Sequence, residues 1–468
     1  MSALPSTVDY SRSINHASKY KRLQVPLSNN ATSSYVASDS SLKLQWTLPA
    51  GVTANPARTS ISYTISVGVP GAAGRFTYVV DDCFQIAQNL SWTTAKGVTL
   101  ADVPFANRYS KVVDKYYTRH SNFMSRTNMD MSYPCRTTTD LNPIHQIPAA
   151  VITPNTYDFT GTGVGGNRDE GLVNYEEPRY FKVGGDNQVL DLAKNVKLGD
   201  AGRSSLFELD RDIFIGETMY INLDTAPVKT FAFYATSATV IGATAAALGA
   251  GKVTISNIML NLAVEDNAVL SESVRAKWES SGINLRTDYI LPFRNVCNSA
   301  MTNITLQIPQ MAGTKLKRII NCVFNGTEEL DKVADQHNLN AEKIQELNTF
   351  IDSQQLQNSN VVSNFSTGSY LGNTDYIENE KFLHDSVIQT VPQYAYSWAF
   401  IDDFSGDDSL KYEGENQRHD YGLGLEVPRN YMLKMKTPNA AATNLAEYSF
   451  AILSRTLHMG KEGSQWLA

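Results

Sequence analysis

Two short stretches have the residue types and spacing to do chemistry. GTGVGG at residues 161–166 matches G-x-G-x-x-G, the glycine run that lets a backbone approach a dinucleotide pyrophosphate where a strand turns into a helix. The following NRDEGLVNYEEP has no apolar helical face, so no helix N-terminus faces an anion there and the run reads as a loop. DDFSGDD at residues 402–408 offers carboxylates to a hard cation. Registered from Asp403, it puts Asp403, Ser405 and Asp407 at the first, third and fifth positions of a calcium loop. Asp408 then stands where the sharp turn needs Gly, and Gly414 where the bidentate Glu belongs. Only weak ion binding between Asp402 and Asp408 survives that mismatch, and a turn between strands is the simpler reading. His16, His120, His145, His337, His384, His419 and His458 show no HxH or HExxH spacing, and there is no G-x-S-x-G nucleophile elbow. The expectation is a chain that is not an enzyme, with no catalytic, cofactor-binding or metal-ligating residue assigned. A site assembled from residues distant in sequence stays open.

The chain that would carry any such site has 468 residues, beyond the size at which one core keeps growing, so two domains are expected. Apolar content of 42% with 19% charged residues is that of a soluble globular protein. A net charge of -7 gives no global attraction to nucleic acid or anionic membrane. Cys83, Cys135, Cys297 and Cys322 are too scattered for a metal knuckle and too few for a disulfide scaffold, which fits free thiols in a reducing compartment. The first residues, MSALPSTVDYSRSINHASKYKR, lack the apolar core of a secretory signal. The sequons at Asn30, Asn89, Asn303, Asn325 and Asn364 are therefore expected to stay unglycosylated.

Period-two alternation dominates the pattern. Leu42, Leu44, Trp46 and Leu48 share one face, as do Ile61, Tyr63, Ile65 and Val67, then Phe76, Tyr78 and Val80. No helical segments alternate with these strands, so antiparallel sandwiches of the jelly-roll class are expected rather than a parallel sheet. Residues 1–38 show no periodicity and read as an extended arm with a basic cluster at Lys19, Lys21 and Arg22. One helix is expected after residue 102, capped by Asp102, with Pro104 in its first turn and Phe105, Tyr109, Val112, Val113, Tyr116 and Tyr117 along one side. Residues 133–200 read as long loops. Strands return at Met219, Ile221 and Leu223, at Phe231 and Phe233, and at Ile258, Leu260, Leu262 and Val264. The Ala-, Gly- and Thr-rich stretch 236–251 falls between two strands and is too short and too weakly apolar for a membrane span. DNAVLSESVRAKWESSG at 266–282 reads as a helix bridging two β domains. The acidic stretch 326–356, with Ile344, Leu347 and Ile351 at helical spacing, reads as an inserted helical hairpin.

Three segments of the second half are then specific: ITLQIPQMAGTKLKRIINCVFN (304–325), YAYSWAFIDDFSG (394–406) and YSFAILSRTLHMGKEG (448–463). In order and spacing they resemble segments of the double jelly-roll major capsid proteins of nucleocytoplasmic large DNA viruses, polinton-like viruses and virophages. There they look like a strand pair with a basic turn, a Y-x-Y-S-aromatic-A strand, and a C-terminal strand ending L-R-x-x-x-G. Tyr394, Tyr396, Ser397, Trp398 and Ala399 fit the second; Leu457, His458, Met459 and Gly460 lie near the third, with Arg455 out of register. The acidic insertion is a further departure from the large viruses, and the first half agrees by strand pattern alone.

The resemblance implies an all-β fold of two tandem jelly rolls with short accessory helices, divided as an arm (1–38), a first jelly roll (39–266), a linker helix (267–284) and a second jelly roll (285–468) carrying the 326–356 insertion. It implies a structural capsid protein that needs no cofactor. Its partners would be two further copies of itself in a pseudo-hexagonal trimer, neighbouring capsomers, and penton and minor capsid proteins. Specific nucleic-acid binding and transmembrane segments are not expected. The virion shell, assembled in host cytoplasm or viral factory, is its expected place. Tyr157, Phe159, Tyr175, Tyr180, Phe181 and Phe365, in long loops 133–200 and 359–392, are candidates for the trimer contact. A tandem β-sandwich carbohydrate-binding protein or hydrolase is the alternative.

Overall fold

Leu44, Trp46 and Leu48 alternate with Lys43, Gln45 and Thr47, and an extended chain sends the two sets to opposite faces. The computed structural model describes residues 19–28, 34–38, 40–67, 76–80, 84–110, 180–183, 190–235, 245–246, 253–297, 303–311, 315–325, 346–356, 361–362, 399–404, 423–425, 429–436 and 445–467. In it the first set is buried in a strand. The strands of the first half are β1 (Tyr20–Val25), β2 (Tyr35–Val36), β3 (Lys43–Leu48), β4 (Val52–Ala54), β5 (Ser60–Val67), β6 (Phe76–Val80), β7 (Ala87–Thr94), β8 (Thr99–Pro104), β9 (Tyr180–Val183), β10 (Leu190–Lys197), β11 (Ile213–Ile215), β12 (Met219–Thr225), β13 (Ala232–Ala235), β14 (Ala245–Ala246) and β15 (Val253–Glu265). One sheet runs β10-β5-β15-β4-β11 with β1 and β2 against β15; a second runs β3-β12-β7-β8; a smaller one runs β14-β13-β6-β9. Register aligns Leu44, Leu223 and Leu90 in one row across β3, β12 and β7, and Trp46, Ile221 and Trp92 in the next. All six are buried, so these rows form the core of the first sandwich.

Strand β15 shows how a bulge preserves such a face. Ser256 pairs with Thr64 and Met259 with Ser62, so one residue is extra, and Asn257 takes φ 54 to accommodate it. Ile255 and Ile258 are both buried although three positions apart.

The second half forms β16 (Ile283–Cys297), β17 (Asn303–Met311), β18 (Lys315–Asn325), β19 (Glu346–Ile351), β20 (Gln354–Gln355), β21 (Val361–Val362), β22 (Ala399–Asp403), β23 (Leu423–Gly424), β24 (Arg429–Lys436), β25 (Leu445–Gly460) and β26 (Gly463–Leu467). One sheet is β16-β25-β18-β22, with β23 on β18 and β26 on β25; the other is β17-β24-β19-β20, with β21 on β19. Among the described residues no strand pairing crosses from the first group to the second, and all pairs are antiparallel. Between the groups lies a helix, Ala268–Ser280. The Asn267 side chain accepts from the backbone N–H of Val269 (3.1 Å) and Leu270 (3.4 Å), capping its start. Gly282, at φ 71, takes the left-handed position that ends it.

Several expectations change. Residues 1–38 are not all arm: Tyr20–Val25 and Tyr35–Val36 are strands completing the β15 edge. Asp102 and Pro104 belong to β8, and the helical turn starts only after Phe105, which turns the chain at φ 50. The stretch 133–200 contains β9 and β10. Within 326–356, Glu346–Ile351 is a strand rather than part of a helical hairpin, and 326–345 lies outside the described residues. The segment 304–325 spans two strands that belong to different sheets and do not pair with each other. The stretch 236–251 contributes Ala245–Ala246 to a sheet; its remainder lies outside the described residues.

Candidate functional site: the joint between the two sandwiches

Three parts of the chain fasten one sandwich to the other among the described residues. The first is the helix Ala268–Ser280, which buries no residue fully and exposes Arg275 in ion pairs with Glu279 (2.9 Å) and Glu272 (3.8 Å). Its Trp278 packs on Phe214 with ring centroids 5.2 Å apart. A Cβ on Gly216 would lie 2.3 Å from the Trp278 ring, so only glycine leaves that space. Ser271 Oγ meets Thr53 Oγ1 at 2.9 Å. At the far end, a Cβ on Gly282 would lie 2.4 Å from the His458 ring of β25.

The second part is aromatic. Phe105 meets Tyr448 edge-on at 5.1 Å, Tyr109 meets Phe450 at 5.0 Å, and Tyr448 stacks along Phe450 at 6.3 Å. Tyr448 and Phe450 share one face of β25, the central strand of the second sandwich, while Phe105 and Tyr109 close the end of the first. Pairs of this geometry contribute about 0.5–1.5 kcal/mol each beyond the area they bury.

The third part is the terminal hairpin of β25 and β26. Trp466 Nε1 donates to the Thr99 carbonyl (2.8 Å), Ser464 Oγ to Glu217 Oε1 (2.8 Å), and Lys96 Nζ to the Glu462 carbonyl (3.1 Å). Tyr289 lies edge-on to Trp466 at 6.4 Å, and the Arg455 guanidinium covers the Tyr289 ring at 4.7 Å. Burial pushes the Asp102 carboxyl of β8 up to about 6, with repulsion from Asp224 adding to it. Across the joint the Tyr289 hydroxyl is raised, first by burial and then by the Asp102 charge.

The residues with chemical promise in the sequence do not converge here. Asp402 lies on β22, not on a turn; it is buried and accepts from Tyr431 Oη (2.7 Å) and Thr349 Oγ1 (3.2 Å). Ser405, Asp407, Asp408, Gly414 and residues 161–166 lie outside the described residues. His458 is half-buried, with Nδ1 2.7 Å from Asn284 Oδ1, and the other histidines lie outside the described residues. Burial, then Glu447, holds the Cys322 thiol well above its ordinary range, which suits a core residue rather than a nucleophile. Among the described residues no group of three His, Cys, Asp or Glu is arranged to hold a metal ion, and no helix is long and apolar enough to cross a membrane. Sequence reasoning missed the buried polar residues Glu447, Ser449, Asn321 and Tyr431; a Glu within the apolar strand AEYSFAIL was the available signal. Of the aromatic contact candidates, Tyr180 and Phe181 fall on β9, and Tyr157, Phe159, Tyr175 and Phe365 lie outside the described residues.

No family model matches the sequence, and no curated protein matches it. Solved structures match its fold. A chain of the Sputnik virophage gives a TM-score of 0.54 at 11% identity, covering 100% of this chain and 92% of that one. The Faustovirus major capsid protein gives 0.52 at 10% identity, covering 95% and 91%. VP54 of PBCV-1, fitted into a reconstruction of Sputnik, gives 0.50 at 9% identity, covering 97% of each chain. Along nearly its whole length, and at an identity that speaks for the fold alone, the chain is a double jelly roll like the viral major capsid proteins.

Proposed function

We propose that the chain is the major capsid protein of an icosahedral double-stranded DNA virus, assembling as homotrimers of pseudo-hexagonal outline in the virion shell. The carrying observation is the joint: two sandwiches fixed to each other by a helix, an aromatic contact and a terminal hairpin, in the fold that viral major capsid proteins share. Three chains with two similar wedges each present six, the number that tiles a near-hexagonal unit, and a closed trimer follows from three-fold symmetry. A subunit of this kind needs rigid orientation between its wedges and no catalytic group.

On this reading the first jelly roll comprises residues 19–266 with the N-terminal strand included, the linker is 267–284, and the second jelly roll is 285–468. Penton and minor capsid proteins are the further partners, and the shell is the site of action. Electron microscopy of the purified chain tests the proposal: three-fold particles of hexagonal outline are expected. Monomeric particles that bind glycan arrays or cleave glycosides would overturn it in favour of a carbohydrate-active sandwich protein.

A further inference from the structure

Three polar side chains lie in a row between two carboxyl groups inside the second sandwich. Glu447 and Ser449 stand on β25, Asn321 pairs in register with Ser449 on β18, Tyr431 reaches in from β24 of the other sheet, and Asp402 lies on β22. All are buried, Glu447, Ser449 and Tyr431 at 0% exposure. Ser449 Oγ lies 2.5 Å from both Glu447 Oε1 and Asn321 Oδ1. Asn321 Nδ2 donates to Tyr431 Oη (2.9 Å), and Tyr431 Oη donates to Asp402 Oδ2 (2.7 Å).

These four links require four protons. Ser449 supplies one and Tyr431 supplies one. Asn321 touches one neighbour through its amide oxygen and the other through its nitrogen, so it supplies one. The fourth must sit on a carboxyl group at one end. Turning the Asn321 amide over reverses the direction of the row without changing the count. With the amide as placed, the Tyr431 proton goes to Asp402 and the extra proton belongs to Glu447. Glu447 Oε2 has no hydrogen-bond partner among the described residues, a setting in which the neutral acid is favoured over the anion.

We propose that Glu447 and Asp402 share a single proton through the Ser449–Asn321–Tyr431 row, and that loss of this proton is a switch that loosens the second sandwich. The inference is independent of the capsid reading. Once the proton leaves, two acceptors face each other at one link, and the tie between the two sheets weakens. Tyr448, between Glu447 and Ser449, packs on Phe105, so the change reaches the joint.

Among the described residues, the charged and titratable groups around Glu447 include Asp402, Tyr431, Cys322, Arg108 from the helical turn of the first sandwich, and Arg294 on β16. Arg108 acts on Cys322, and Arg294 lies 5.8 Å over the Tyr448 ring. Burial raises the Glu447 carboxyl to about 8, and the Ser449 hydroxyl acts in the opposite direction. The folded state therefore holds this proton more tightly than the unfolded chain. Stability from this group is full below about pH 4 and falls as pH rises, with the loss complete above about 8.

Infrared spectroscopy and thermal melting of the full chain against pH test the switch. At pH 7 the wild type should show the carbonyl band of a protonated carboxylic acid, vanishing as pH passes about 8. Glu447→Gln, whose amide supplies the fourth proton without titrating, should lack the band and lose the fall in melting temperature between pH 7 and 9. Absence of the band in the wild type at pH 7, its persistence unchanged to pH 10, or an equal band in E447Q would overturn the proposal. Should E447Q fail to fold, the wild-type band and its titration still decide.

Discussion

Asp102 is a carboxyl group held where the two sandwiches meet, and its cost depends on pH. Because burial and Asp224 raise it to about 6, ionising it is harder in the folded chain than in the unfolded one. Its contribution is most favourable below about pH 4 and declines as pH climbs to about 6. Asp102→Asn should make the melting profile shallower across that interval, leaving the slope that Glu447 contributes up to about pH 8; an unchanged slope between about pH 4 and 6 would remove Asp102 from the joint's electrostatics. Gly216 makes a second prediction. Its substitution by Ala drives a methyl into Trp278, and overpacking of this kind costs about 1–3 kcal/mol, read as a drop in denaturant midpoint. Asp102 also shows why residue-level reading misled. An Asp two residues before a Pro, followed by apolar residues at helical spacing, has every mark of a helix start. Pairing decided otherwise: β8 lies at the end of its sheet next to β7, and an edge strand tolerates proline.

Strand β1 has no hydrophobic period to announce it, since most of YKRLQV is exposed. It is held instead by backbone pairing to β15 and by a polar latch at its start. Tyr20 Oη donates to Asp212 (2.8 Å), the Arg58 guanidinium covers the Tyr20 ring at 4.8 Å, and Glu265 Oε1 accepts from both Lys19 N (2.9 Å) and Asn267 N (2.8 Å). Removing residues 1–25 should therefore lower the melting temperature of the first sandwich and slacken the cap of the linker helix, whereas an intact melt would show that the strand is dispensable. The acidic stretch failed to declare itself for a related reason: Leu347 and Ile351 are four apart, a spacing that shares a face in a helix and in a strand alike. Where alternation was clean, as in β3, β12 and β17, strand and buried face were both legible. The joint was not, because its partners are far apart in sequence; Thr99 and Trp466 meet across 367 residues. Trp466→Phe, which keeps an aromatic ring but removes the indole N–H donor and part of the ring area on Tyr289, should cost at least about 1 kcal/mol of stability.

At the scale of the whole molecule, the sheet edges bear on how copies meet. Strand β16 pairs only with β25 among the described residues and carries Pro292, and β1 is short with Lys21 and Arg22 along it. Proline and charge on an edge discourage pairing with another chain. Trimer contacts built from loops and sandwich faces, rather than from strand exchange, are the arrangement these edges favour. A capsid trimer of obligate type should bury well over ~2,000 Å² and be more apolar at its centre than a transient contact. Tyr157, Phe159, Tyr175 and Phe365 remain the proposed apolar centre on sequence grounds. Sedimentation at micromolar concentration should give three times the chain mass of 51.6 kDa. Paired substitution of Tyr157 and Phe159 by Ala should shift that species toward monomer while leaving the circular dichroism of the sheets unchanged. A wild-type chain that sediments as a monomer, or a trimer that survives the paired substitution, would rule out this interface even with the double jelly roll intact.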